Sequence, residues 1–558
     1  MAQERTHARL GERLVASGLL SREHLEIALA EQARTGLRLG RILRKHGFVE
    51  EEAIARIEAE DLDLPFAHAE ELQVEPSVLS TFDRDFVIET GAFPLRFEGE
   101  DLFVATTRPG DPESLARLRE RYSVPLSLIV TTWGDIETLL KEHLASSSGR
   151  VEEILANVDR DSTLESLPIE EAVDALLGDA VRQGATDIHI EPEEDLTRVR
   201  LRVDGCLFPA VNLPKAMSDG VLSRLKVLSR LDIAERRRPQ DGRMRIVVDG
   251  QDVDLRVSIM PAGAGENAVL RVLGRTSGVL RLGQLGISGD VQAALRRVVD
   301  RSHGLFLVTG PTGSGKSTTL YALLAEIDAI TRKVATIEDP IEYRLPFIRQ
   351  SQVDRAIGFD FQSGLRALLR QDPDVILVGE IRDSETADLA IKASMTGHLV
   401  LTTLHTNSSI GALPRLVDLG IEPYLVEDSL IGVLAQRLVR KVCVRCARKM
   451  PATEAESAWL REPPDHLLRG EGCERCKGTG YSGRLALSEL FLPDDSMTEL
   501  LRSGASPDRL LEAARAVGFR SLEEDGRRKV LQGLTTMEEV ERVYRSHRLS
   551  QEERRAAA

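Results

Sequence analysis

Gly310-Pro311-Thr312-Gly313-Ser314-Gly315-Lys316-Ser317-Thr318 follows the apolar run Leu305–Val308 and opens a helix near Ser317. A buried strand, a glycine-rich turn, a Lys-Ser pair and a helix, in that order, make a phosphate-binding loop. The glycines let backbone N–H groups turn inward onto a phosphate. Lys316 brings a point charge to the β- and γ-phosphates. Ser317 can hold Mg²⁺ at the helix N-terminus, where the dipole favours anions. The expected ligand is therefore a nucleoside triphosphate with Mg²⁺.

Outward from this loop, the apolar runs Val334–Glu338, Val375–Val378 and Leu399–Leu404, with helices between them, read as buried parallel strands of an open α/β sheet. Ligands bind such sheets at the carboxyl ends of the strands. Thr336-Ile-Glu338-Asp339-Pro340-Ile-Glu342 puts three carboxylates at one such end. Asp374-Val-Ile-Leu-Val-Gly379-Glu380-Ile-Arg382-Asp383 resembles a Walker B strand, although its acid, Glu380, stands after a glycine. Glu338, Glu342 and Glu380 are three candidates for orienting water or the metal's hydration shell. His398 and His405 bracket the run Leu399–Leu404, and together they suggest γ-phosphate sensing.

The chain as a whole has 558 residues, 42% hydrophobic and 29% charged, enough for several soluble domains. No apolar run approaches the roughly 18 residues that a membrane span needs. MAQERTHARL lacks the apolar core of a secretory signal, so a cytoplasmic location is expected. The net charge of −16 argues against nucleic acid as the main partner.

Residues 1–66 contain a repeat. Arg9-Leu10-Gly11, Leu14 and Gly18 return as Arg38-Leu39-Gly40, Leu43 and Gly47 at a constant offset of 29 residues, which implies two copies of one helical unit. Residues 67–144 read as a mixed α/β unit, with extended candidates at Phe86–Glu89 and Leu102–Thr106. Residues 145–166 read as a linker, partly helical at Val151–Asn157. Residues 167–282 alternate helix and strand as an α+β domain. The nucleotide domain covers 283–495, a charged helical region covers 496–558, and SQEERRAAA ends it as a loose tail.

Cys443-Val-Arg-Cys446 and Cys473-Glu-Arg-Cys476 are two CxxC pairs separated by 26 residues, inside a module at about 437–485. Four thiolates can surround one Zn²⁺ tetrahedrally, with no open position for catalysis. Ala447–Gly472 between them carries no basic stripe with interleaved aromatics, so the module does not read as a nucleic-acid grip.

GPTGSGKST, ATIEDPIEY, GLRALLRQDPDVILVGEIRD, TGHLVLTTLHTN and AQRLVRKVC, with LDIAERRRPQDGR and DLRVSIMP before them, resemble the ATPases of type II secretion and type IV pilus assembly over about 167–548. The resemblance implies a RecA-like core, a homo-hexamer, and ATP held between that core and the α+β domain. It implies that Arg243, Arg256 and Arg271, with Arg236 beside them, reach the nucleotide's phosphates. It also implies docking on a polytopic inner-membrane platform protein. The RLGxxLxxxG repeat is similar to a cyclic di-GMP-binding module of such motors. The matching contacts are Arg9, Leu10, Gly11 and Gln32, with Arg38, Leu39 and Gly40; the expected second glutamine is Asp61. The alternatives from other classes are a nucleic-acid translocase, which would share the same core, and a nucleotide-gated scaffold.

Overall fold

The 29-residue repeat folds as two equivalent helical layers. Leu14 and Leu43, equivalent positions, are both fully buried, and Leu10 and Leu39 join them in one core. A Cβ on Gly11 would stand 2.5 Å from Leu25, and one on Gly40 would stand 3.6 Å from Ile54, which is Leu25's own equivalent. The glycines are thus where helices approach closely. The computed structural model describes residues 10–75, 78, 84–144, 151, 154–155, 168–275, 280–461, 464–503 and 505–544. Arg9, most of the linker and the C-terminal tail lie outside the described residues.

Three strands follow, β1 (Ala92–Glu98), β2 (Asp101–Thr106) and β3 (Leu126–Val130), in the order β1-β2-β3. Phe86–Glu89, expected as extended, lies instead in the helix Arg84–Thr90. Its aromatic and β-branched residues suit a strand locally. As a helix, however, the segment puts Val87 into one hydrophobic cluster and Phe86 against another. The chain then reverses at Gly91, at φ +66°, whose N–H bonds back to Val87.

The next strands are β4 (Asp187–Pro192), β5 (Leu196–Val203), β6 (Cys206–Pro214), β7 (Gln240–Val248), β8 (Gln251–Ala262) and β9 (Gly265–Arg275). They form an antiparallel sheet in the order β6-β5-β4-β9-β8-β7. Strand alternation is clean on β8. Val253, Leu255, Val257 and Ile259 are buried with the helices Ile169–Arg182 and Ser218–Ser229, while Asp254, Arg256, Ser258 and Met260 are exposed. Clustering of contacts divides the chain into two units at Gly278/Val279.

The second unit is built on β10 (Gly304–Thr309), β11 (Val334–Glu338), β12 (Arg349–Gln352), β13 (Val375–Val378), β14 (Leu399–Leu404) and β15 (Leu430–Val442). Two short strands, β16 (Ala447–Pro451) and β17 (His466–Gly470), pair with each other, and β18 (Tyr481–Phe491) closes the main sheet. The order is β12-β11-β13-β14-β10-β15-β18, parallel throughout except for the antiparallel β15–β18 pair. Every residue of β10, β11, β13 and β14 is buried, as continuous apolar runs between two layers require. The carboxyl ends of β10, β11, β13 and β14 therefore lie along one edge.

Candidate nucleotide site

At that edge the loop after β10 has the backbone that a phosphate cradle needs. Gly310, Gly313 and Gly315 sit at φ +150°, +79° and +88°. A Cβ on Gly310 would lie 2.6 Å from the Gln436 carbonyl of β15, so this strand end closes on its neighbour only because no side chain is there. The helix Lys316–Ala325 starts directly after Gly315. Lys316 Nζ donates to the carbonyls of Gly310 at 2.9 Å and Pro311 at 3.1 Å. Burial holds its ammonium below the usual lysine range, Glu380 works against that shift, and Arg437 adds to it. Ser314 Oγ is buried with no partner among the described residues. A lysine curled onto loop carbonyls and an orphaned hydroxyl fit a site whose natural occupant is an anion.

The three glutamates are placed differently. Glu338 is buried and accepts from Thr336 Oγ1 at 2.6 Å, Gln350 Nε2 at 3.1 Å and the Tyr321 hydroxyl. Burial and that carboxylate push the Tyr321 phenol well up, so it stays protonated and donating. Glu342, on the following turn, is exposed. Glu380 follows β13, is mostly buried, and faces the Arg382 guanidinium at 2.7 Å and His405 Nε2 at 3.4 Å. Of the three, Glu380 is the carboxylate that the structure couples to Lys316.

The two histidines separate. His405 follows β14 at the carboxyl edge. His398 precedes β14, bonds through Nδ1 to the Ala393 carbonyl at 2.9 Å, and its own carbonyl accepts from Gly304 at the start of β10. In a parallel pair running Gly304↔Leu399 to Thr309↔Leu404, His398 stands about 20 Å from the phosphate loop. Within this chain it does not share a site with Lys316.

Sequence reasoning passed over Gln436, Arg437 and Asn407. Gln436 accepts from Thr319 Oγ1 at 2.7 Å and underlies Gly315. Arg437 is buried and bonds the Gln436 carbonyl at 2.9 Å and Asn407 O and Oδ1 at 2.9 and 3.1 Å. Burial pushes its guanidinium pKa down. Only the strings AQRLVRKVC and TLHTN marked these positions, and neither has a spacing that announces chemistry.

In the first unit, Arg243, Arg256 and Arg271 are direct cross-strand neighbours on β7, β8 and β9. Arg271 meets Asp187 at 3.1 Å, while Arg243 and Arg256 have no carboxylate partner among the described residues. Like charges directly opposite repel, and an anion relieves them. Arg236 lies off this row, paired with Asp219 at 2.9 Å.

The four cysteine sulfurs lie within 4.8 Å of one another, with Cys443–Cys473 and Cys446–Cys476 at 3.8 Å and Cys473–Cys476 at 3.7 Å. A tetrahedron of Zn–S bonds of 2.3 Å has S···S edges of about 3.8 Å. Backbone N–H groups of Gly472, Cys473 and Gly480 point at the sulfurs from 3.1–3.3 Å. Burial alone would raise the Cys476 thiol, yet such donors bring it down to about 7. The donor set fits zinc.

In the repeat module, Leu10, Leu39, Gly11 and Gly40 are committed to the core, and Gln32 Nε2 bonds the Leu37 carbonyl at 3.2 Å. Arg38 pairs with Asp111 at 2.5 Å. Asp61 is an ion-pair partner of Arg13, which also holds Glu60. Burial pushes Arg108 down, Asp111 works against that shift, and Arg38, Arg44 and Arg41 add to it. Burial also pushes Glu58 up to about 7 against the pull of Arg44 and Arg38.

A parallel sheet with a phosphate loop on β10 and an acid and a histidine on the adjoining strand ends defines a P-loop ATPase. The profile of the family described as Type II/IV secretion system protein matches residues 162–542, and the chain belongs to that family. A second profile, the MshEN domain, matches residues 62–150, which include β1–β3. Type II secretion system protein HxcR of Pseudomonas aeruginosa is 45% identical over 463 residues, spanning 80% of this chain and 95% of its own. Type IV pilus assembly ATPase PilB of Myxococcus xanthus is 36% identical, spanning 95% and 98%. The structure of the ATPase DotB of Legionella pneumophila aligns with a TM-score of 0.52 at 21% identity, over 70% of this chain and 98% of that one, a likeness of fold.

Gly310→Ala should cost about 1–3 kcal/mol, because alanine meets both a positive φ and the Gln436 carbonyl. Thermal unfolding with and without nucleotide measures it, and a variant as stable as the wild type would refute the packing argument.

Proposed function

We propose that this chain is the ATP-hydrolysing motor of a type II secretion pseudopilus or type IV pilus assembly machine. It works as a homo-hexamer on the cytoplasmic side of the inner membrane, against a polytopic platform protein. The observation that carries the reading is the phosphate loop facing Glu380 and His405 in a chain whose secretion and pilus relatives match it over most of their length. No helix among the described residues is long and apolar enough to cross a membrane, so attachment through a partner suits it.

Lys316 would meet the β- and γ-phosphates, and Ser317 would offer its hydroxyl to Mg²⁺, which would supply charge neutralisation there. Glu380 orients water or the metal's hydration shell, and His405 beside it senses the γ-phosphate. Glu338 joins only if Tyr321, Thr336 and Gln350 give way. Arg243, Arg256 and Arg271 form the cationic row that neutralises phosphate charge when domains close, which would couple hydrolysis to rigid-body motion. Lys316→Ala should lower kcat by about 10²–10³-fold, the scale of losing one charge-stabilising donor, and DNA should not stimulate the wild type. An unchanged steady-state ATPase rate would favour the scaffold alternative, and DNA stimulation the translocase.

Cys443, Cys446, Cys473 and Cys476 hold one structural Zn²⁺. The metal content of purified protein should be one zinc per chain, falling to none in Cys473→Ser/Cys476→Ser with a lower Tm. A wild type that elutes without zinc refutes this.

Of the candidates Arg9, Leu10, Gly11, Gln32, Arg38, Leu39 and Gly40 for a dianionic cyclic dinucleotide, Arg38 is the described cation, with Arg41, Arg44 and Arg108 near it, and Asp61 is engaged by Arg13. Calorimetric titration should detect cyclic di-GMP binding in the wild type, lost in Arg38→Ala. No heat in the wild type would overturn it.

A further inference from the structure

The segment after β14 is fastened at three points. Thr406 N–H donates to Thr309 Oγ1 at 2.9 Å, which ties it to the end of the phosphate-loop strand. Asn407 accepts from Arg437. Ser409 donates both its N–H, at 2.8 Å, and its hydroxyl, at 2.6 Å, to Glu489 Oε1. Glu489 stands on β18, is 6% exposed, and its other oxygen accepts the N–H of Leu522 at 3.2 Å.

Leu522 is the first residue of the helix Leu522–Leu531. A buried carboxylate at a helix N-terminus satisfies an orphan donor and complements the dipole. The same helix is held to β18 at two further points. Asp525 accepts the Ser488 N–H at 2.9 Å, and Lys529 donates to the Ala486 carbonyl. The helix thus has no slack against β18. Any displacement of Ser409 reaches it through one carboxylate.

The other end of the segment is His405, 3.4 Å from Glu380, which in turn feels Lys316. An unbroken series of bonded or charge-coupled groups therefore runs from the phosphate loop to the C-terminal helices. None of its members past Asn407 touches the nucleotide edge. Glu489 is buried, the cation that feels it is Arg437, and it makes no ion pair among the described residues. Such a group is costly unless its bonds are all made. Its two oxygens belong to the single side chain that joins Ser409 on one side to Leu522 on the other.

We propose that Glu489 is a positioning residue of the ATPase site, which fixes the His405–Ser409 segment and links its position to the N-terminus of the helix Leu522–Leu531, so that occupancy of the phosphate loop is read out in the C-terminal helices. This rests on the ATPase reading above, and the test separates the two. Binding of a fluorescent ATP analogue to the full-length wild type tests the site. Amide hydrogen exchange of residues 520–531, with and without a non-hydrolysable ATP analogue and Mg²⁺, tests the link.

The expected result is analogue binding together with at least about a fivefold change in exchange across 520–531, the lower range of site-to-site coupling. Glu489→Gln keeps an acceptor for one side only and sets an NH₂ against an N–H on the other. It should bind the analogue within twofold of wild type, lose the exchange response, and turn over about tenfold more slowly at unchanged KM. No analogue binding to the wild type would defeat the ATPase reading. Binding with an unmoved 520–531 segment, or a full response in Glu489→Gln, overturns the link. Should Glu489→Gln not fold by circular dichroism, Glu489→Asp replaces it, since a carboxylate one methylene shorter does not span Ser409 and Leu522 together, and a wild-type response there overturns the link equally.

Discussion

The nucleotide edge depends on how closely β10 and β15 end against each other. Gly310 is in van der Waals reach of the Gln436 carbonyl, and Gly315 of the Gln436 amide, so one residue of β15 forms the floor of the phosphate loop. Thr319, one turn into the helix that follows, returns a hydrogen bond to the same side chain. Strand, loop and helix are thereby held to a single buried glutamine. A cradle whose backbone is fixed by such packing spends little on reorganisation when it binds an anion.

Charge in this edge is poised rather than balanced. Lys316 and Arg437 are both held below their ordinary range by burial, with Arg437 adding repulsion to Lys316, while Glu380 is already shared with Arg382 and His405. Negative charge placed beside Lys316 and Arg437 opposes the effect of burial on both. Glu338 is the opposite case. Its oxygens are taken by Thr336, Gln350 and Tyr321, so its present role is to fix the end of β11. Similar residues a few positions apart thus carry different chemistry because of what surrounds them.

Local patterns in the sequence made the second unit legible. The phosphate loop, the four apolar strands and the CxxC pairs each report through neighbours in the chain. The 29-residue repeat reported itself too, down to the packing of Gly11 on Leu25 and Gly40 on Ile54. What was hidden depends on register and partners. That Arg243, Arg256 and Arg271 share one row follows from two strand pairings, β7 with β8 and β8 with β9. His398 and His405 look equivalent around one strand, yet a six-residue strand sends them to opposite edges. Phe86–Glu89 has strand-like side chains, and only its two-sided burial makes it a helix. Glu489 sits 80 residues from Ser409 in sequence, beyond any spacing rule.

The cysteine cluster belongs to the same argument. β15 runs from the sheet through Gln436 and Arg437 into Cys443, and β18 leaves the cluster after Cys476 and runs up to Glu489. The two strands pair antiparallel, Ala435 opposite Glu489 and Arg437 opposite Leu487. A slip of one residue in that pairing would turn Gln436 and Glu489 to the wrong faces. Four thiolates on one ion at the far end of the pair would hold both strands by their termini and fix the register without touching the nucleotide. In the reading proposed above, the metal then has no part in hydrolysis. It keeps the loop's floor and the link to the C-terminal helices on one rigid ribbon, so that a change at one is felt at the other.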